Sequence, residues 1–85
     1  MYRIEYTRDA LKALKAMPRN VGLQIRGKIE LLAADPFALN NNVRKLVGRE
    51  AFRLRVGDWR VIYEIDGSLL LIHVLTVAPR GGVYQ

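Results

Sequence analysis

Six basic residues fall between positions 44 and 60 of this chain, Arg44, Lys45, Arg49, Arg53, Arg55 and Arg60, and only Glu50 and Asp58 offset them. A guanidinium group presents a planar fork of donors that matches phosphate oxygens, so this density suits a polyanionic partner. The spacing adds geometry to the charge. Apolar residues alternate with arginine on both sides of Gly57-Asp58, the pattern of two strands joined by a two-residue hairpin turn. Such a turn pairs Val56 with Trp59, Arg55 with Arg60, Leu54 with Val61, Arg53 with Ile62 and Phe52 with Tyr63. One face is then core, and Arg53, Arg55 and Arg60 share the other. Like charges directly opposite one another destabilise an antiparallel pair by a few tenths to about 1 kcal/mol. Folding does not explain that cost, whereas a bound polyanion would. The competing reading is a solvated face on which the arginines only keep the sheet in water. The adjoining Arg44, Lys45 and Arg49 weigh against it.

Two further side chains near the cluster could move a proton, Glu50 and His73. A two-residue turn at Asp66-Gly67 would bring His73 opposite Arg60. Its place between Ile72 and Val74 in an apolar strand argues instead for a structural role. The same face carries Ile62, Leu69, Leu71 and Leu75, which need cover from a C-terminal segment or a partner helix.

The elements that position these residues follow from periodicity. Tyr2, Ile4 and Tyr6 alternate with Arg3 and Glu5, which predicts a strand. Thr7 can cap a helix whose stripe is Ala10, Leu11, Leu14 and Met17, and Pro18 ends it. A second helix from Arg19 carries Val21, Ile25, Ile29 and Leu32 and stops near Ala34, because Asp35 precedes Pro36. Gly22 and Gly27 inside it each cost about 1 kcal/mol relative to Ala, so packing must hold it. Phe37 to Gly48, with Asn40-Asn41-Asn42, lacks periodicity and reads as a loop. Ala51 to Val56, Trp59 to Ile65 and Ser68 to Val77 form a three-stranded antiparallel meander. The expected class is α+β, with an N-terminal strand, a helical hairpin and the meander, the helices packed on one face of a four-stranded sheet. At 85 residues the chain is expected to form a single domain over residues 1–85.

With no cysteine and one histidine, neither a disulfide framework nor a zinc site is expected, and no cofactor is implied. Apolar runs are far shorter than the roughly 20 residues of a membrane span. The opening residues lack the apolar core of a signal peptide, so a cytoplasmic location is the expectation. The net charge of +6 points to nucleic acid, to an acidic protein segment, or to both.

Two stretches carry a family resemblance: Ala51-Phe-Arg-Leu-Arg-Val-Gly-Asp-Trp-Arg-Val-Ile-Tyr-Glu-Ile65 and Val77-Ala-Pro-Arg-Gly-Gly-Val-Tyr84. They resemble the RelE/ParE superfamily of bacterial toxins, as do the opening strand, the helical hairpin with proline at its turn and Val43-Arg-Lys-Leu-Val-Gly48. Only the Asn-rich loop departs from the pattern. The resemblance implies the toxin of a type II toxin–antitoxin pair and, in the RelE branch, a ribosome-dependent endoribonuclease, an mRNA interferase that inhibits translation. It implies catalytic positions at Arg53, Arg55, Arg60, Arg80 and Tyr84, with Arg44, Lys45 and Arg49 as further RNA-binding residues. Arginine stands here where a well-known branch has lysine. Arginine stays protonated, so these residues suit charge stabilisation rather than proton transfer.

The implied chemistry is metal-free attack of a ribose 2′-OH on the adjacent phosphate. The arginines would hold the phosphate, and Tyr84 would act as base or orient the hydroxyl. The alternative is a ParE-like protein inhibitor of DNA gyrase without nuclease activity, and a third reading is a degenerate domain that keeps only antitoxin binding. The partners implied are a cognate acidic antitoxin, forming a hetero-oligomer, together with the ribosome and messenger RNA.

Overall fold

The computed structural model describes residues 1–81. Strand β1 (Arg3–Tyr6) leads into helix α1 (Arg8–Ala16) and helix α2 (Arg19–Ala34). Strands β2 (Val43–Lys45), β3 (Phe52–Val56), β4 (Trp59–Asp66) and β5 (Leu71–Pro79) follow. Thr7 caps α1 as expected, its hydroxyl accepting from the Ala10 N–H at 3.1 Å. The helical pair turns at Met17-Pro18. Gly22 earns its place there, because a Cβ at that position would lie 3.2 Å from the Leu14 carbonyl oxygen. Both helices pack on one face of the sheet. Ala10, Leu14, Met17, Ile25, Ile29 and Leu32 meet Leu54, Val56, Val61, Tyr63, Ile72, Val74 and Val77 in one buried cluster.

The sheet has five strands in the order β1-β5-β4-β3-β2, with β1 parallel to β5 and the other pairs antiparallel. The expected four strands are therefore corrected to five. The added strand is Val43–Lys45, inside the segment expected to be a loop. Three residues are too few for an alternation to register, and only pairing with β3 makes them a strand.

The β3–β4 register is the one the Gly57-Asp58 turn dictates, with Arg55 opposite Arg60 and Phe52 opposite Tyr63. Gly57 has φ of 59°, the positive value that a glycine at the first central position of a II′ turn supplies.

The β4–β5 register differs from expectation, because Asp66 and Gly67 do not form a two-residue turn. The Asp66 carboxylate accepts from the Ser68 N–H, the Ser68 hydroxyl and the Leu69 N–H, at 3.0, 2.6 and 3.1 Å. That capping lengthens the turn to residues 67–70, with Leu70 at φ of 49°, and β5 starts at Leu71 rather than Ser68. Asp66 then pairs with Leu71 and Glu64 with His73, so His73 does not face Arg60. Further along, Ile62 pairs with Thr76 while Tyr63 pairs with Val74, which leaves Leu75 as an extra residue in a β-bulge. The bulge shifts the inward positions of β5 from Ile72 and Val74 to Val77, placing valine rather than Thr76 in the core.

Tyr63 stacks on Phe52 with ring centroids 5.6 Å apart, and its buried hydroxyl has no hydrogen-bond partner among the described residues. Burial pushes its pKa up from 10.0 to about 12. The folded state therefore favours the protonated phenol, and the associated stability is complete below pH 10 and lost as pH rises from 10 to about 12. Tyr63→Phe removes the stranded hydroxyl. It is expected to raise stability by about 1 kcal/mol at neutral pH and to reduce the loss across that alkaline window, as read by urea denaturation at a series of pH values.

Candidate nucleic-acid interface

The sheet face away from the helices is built from strand pairs whose members share a side. Arg44 pairs with Arg53 and Arg53 with Ile62, while Arg55 pairs with Arg60. Ile62 is only 4% exposed although it lies on this face, and it gives the row an apolar floor. Arg60 is bent over the hairpin turn, its Nη1 donating to the Trp59 carbonyl at 3.0 Å and the Gly57 carbonyl at 3.2 Å. Its pKa lies below the ordinary guanidinium value. Lost hydration is the largest cause, the charges of Arg55, Arg53 and Arg80 add to it, and Asp58 opposes. The charges of three arginines thus converge on Arg60. Among the described residues, no ion pair joins Arg44, Arg55, Arg60 or Arg80.

Arg80 reaches this group because of the bulge. Even-numbered residues of β5 face the core up to Val74, whereas beyond Leu75 they face outward, as the Arg60–Ala78 pair shows. Arg80 continues that outward side, and its N–H donates to the Asp58 carbonyl at 2.7 Å. The bulge is itself tied down. The Thr7 hydroxyl donates to the Leu75 carbonyl at 2.7 Å, and the Thr7 N–H donates to the Val74 carbonyl at 3.0 Å.

The remaining sequence candidates lie elsewhere. Lys45 pairs with Phe52, which puts it on the helix side, and its ammonium group is 3.6 Å from Glu50. Arg49 is exposed in the β2–β3 turn. His73 sits between Glu5 on β1 and Glu64 on β4, and with Glu50, Glu64 and Asp66 it lines a shallow concavity at the opposite end of the sheet from Arg60. Arg3, 3.7 Å from Glu5, stands at that same end. Tyr84 lies outside the described residues. Sequence reasoning missed Asn42: the Arg55 N–H donates to its carbonyl at 2.8 Å, which extends the β2–β3 ladder and sets Asn42 beside Arg55. No periodicity in the loop signalled that contact.

A compact α+β fold with an arginine-bearing sheet is the class these features define. The model of the ParE toxin family of type II toxin–antitoxin systems matches residues 4–84, and the chain belongs to that family. No curated protein matches. The RelE chain of the RelE–RelB complex from Pyrococcus horikoshii OT3 is similar, with a TM-score of 0.82 at 29% identity, covering 95% of this chain and 97% of that one. The intact E. coli RelBE complex gives a TM-score of 0.79 at 20% identity, with 93% and 96% covered. A YoeB/ParE toxin from Agrobacterium tumefaciens gives 0.78 at 17% identity, with 92% and 98% covered.

Two outcomes follow from this geometry. Thr7→Val removes both the helix cap and the tie to the bulge, and is expected to cost about 1–2 kcal/mol in urea denaturation. Arg55→Gln relieves the pairing with Arg60. It is expected to raise stability by a few tenths to about 1 kcal/mol, with a gain that shrinks as salt screens the charges.

Proposed function

We propose that this toxin is a ribosome-dependent endoribonuclease that cuts messenger RNA by metal-free attack of a ribose 2′-OH. The observation that carries the proposal is the set of Arg53, Arg55, Arg60 and Arg80 on one sheet face, held together against their mutual repulsion. In the reaction the 2′-oxygen loses its proton and bonds to the adjacent phosphorus. The P–O5′ bond then breaks and the 5′-oxygen takes up a proton, leaving a 2′,3′-cyclic phosphate and a 5′-hydroxyl. The four guanidinium groups hold the phosphate and balance the charge that accumulates on its oxygens, supplying stabilisation without proton exchange. Tyr84 is assigned to the 2′-OH, as base or as the group that orients it. Arg44, paired with Arg53, extends the basic surface along the RNA.

The ribosome supplies the messenger RNA and its alignment. A cognate antitoxin with an acidic segment completes the partner set, and the similar RelE chains in complexes with RelB support such an assembly. A second reading draws on the ParE description of the matching family: a protein inhibitor of DNA gyrase that cuts no RNA. Under that reading a phosphate-sized arginine cluster has no evident task.

Primer extension on messenger RNA from cells briefly expressing the protein separates the two. Cuts within translated codons are expected, and an Arg60→Ala/Arg80→Ala variant should lose them by 100-fold or more, on the order of a lost oxyanion-stabilising group. Tyr84→Phe should lose most of them. Growth arrest with intact messenger RNA and impaired supercoiling would favour gyrase.

A further inference from the structure

The β-bulge turns one uncharged polar side chain onto the arginine face, Thr76. It pairs with Ile62, which pairs in turn with Arg53, and two residues further along Ala78 pairs with Arg60. Diagonal positions on neighbouring strands lie about 7–8 Å apart, which makes Thr76 the diagonal neighbour of Arg60. Ala78 carries only a methyl group and keeps the surface low between Thr76, Arg60 and Arg80. We propose that Thr76 binds the 2′-OH of a ribose flanking the cut, so that the site recognises RNA by its sugar as well as by its phosphate. The inference rests on the ribonuclease reading above and adds a substrate-selecting residue to that site.

The hydrogen-bonding character of the face calls for such a group. Guanidinium groups only donate, so Arg44, Arg53, Arg55, Arg60 and Arg80 match phosphate oxygens and offer no acceptor to a ribose hydroxyl. A threonine hydroxyl both accepts and donates, as a 2′-OH does, and contact with the 2′-OH is what separates RNA from DNA. Thr76 is half-buried, and its hydroxyl makes no hydrogen bond among the described residues. The carboxylate of Asp58 is exposed on the turn itself, where its charge acts on Arg60. The fold does not ask for the Thr76 hydroxyl. Valine suits a strand as well as threonine does, and Val74 and Val77 fill the neighbouring inward positions of β5.

The test measures single-turnover cleavage of a defined message on programmed ribosomes by the full chain, Thr76→Val and Thr76→Ser. Each meets an all-ribose message and two others that carry one 2′-deoxynucleotide on the 5′ or the 3′ side of the attacking ribose. Thr76→Val is expected to slow the all-ribose message roughly 2- to 12-fold, the scale of one neutral hydrogen bond, while Thr76→Ser keeps the rate. One of the two 2′-deoxy messages should slow the unaltered chain by the same factor, and Thr76→Val should cut that message no more slowly than the all-ribose one. Losses that add, or an unaltered chain that cuts all three messages equally, overturn the inference. The second of these outcomes is read on the unaltered chain, so it decides the matter even if Thr76→Val proves less stable in urea. If the unaltered chain cuts no message, the ribonuclease reading fails and this inference with it, an outcome distinct from an active enzyme indifferent to the flanking sugars.

Discussion

The side chain of Thr7 joins the two halves of the molecule. Its hydroxyl accepts from the first turn of α1 and donates to the carbonyl of Leu75, 68 positions away in sequence. The second contact falls on the residue that β5 carries in excess. One extra residue in a strand of period two exchanges the faces of everything beyond it. The exchange turns Val77 into the core and sends the line of Thr76, Ala78 and Arg80 to the outer side. A regular β5 would have put Arg80 on the helix side, away from Arg60. The site is thus assembled by a local irregularity, and the helix cap that anchors it belongs to the element that also buries the core.

The charges on the outer face are arranged by the same register. At the hairpin end Arg55 and Arg60 stand opposite each other, with Arg53 and Arg80 close enough to act on Arg60. At the other end His73 is bracketed by Glu5 and Glu64, with Asp66 and Glu50 alongside. The hairpin end is the strongly basic one, while the other end mixes signs, with Arg3 3.7 Å from Glu5 and Lys45 3.6 Å from Glu50. Holding like charges together before the ligand arrives means that no rearrangement is needed when phosphate charge builds up. A stretch of sheet tuned for stability alone would mix its charges.

Membership of the ParE toxin family and the close superposition on RelE chains set the scaffold, and the scaffold leaves the loops to vary. The 35–42 segment joins α2 to β2, and it closes against Arg55 through the Asn42 carbonyl. Variation placed beside an arginine-bearing face can alter which strand or partner is accepted without disturbing the core.

Much of this was determined by the residues in order. The Gly57-Asp58 turn and its flanking alternation set the β3–β4 register by local rules, and with it the arginine face and the Arg55–Arg60 opposition. The caps and breaks at Thr7, Pro18 and Asp35-Pro36 bounded both helices in the same way, since capping acts within one turn of chain. What lay beyond local rules needed the tertiary structure. Asp66 looked like half of a two-residue hairpin turn, but its carboxylate organised a longer one. Val43–Lys45 became a strand only by pairing, and His73 changed neighbours when β5 took its place against β1 and β4. The bulge at Leu75 is the plainest case. No local signal marks it, because it answers a demand of the distant core for Val77 rather than Thr76, and only the packed sheet can make that demand.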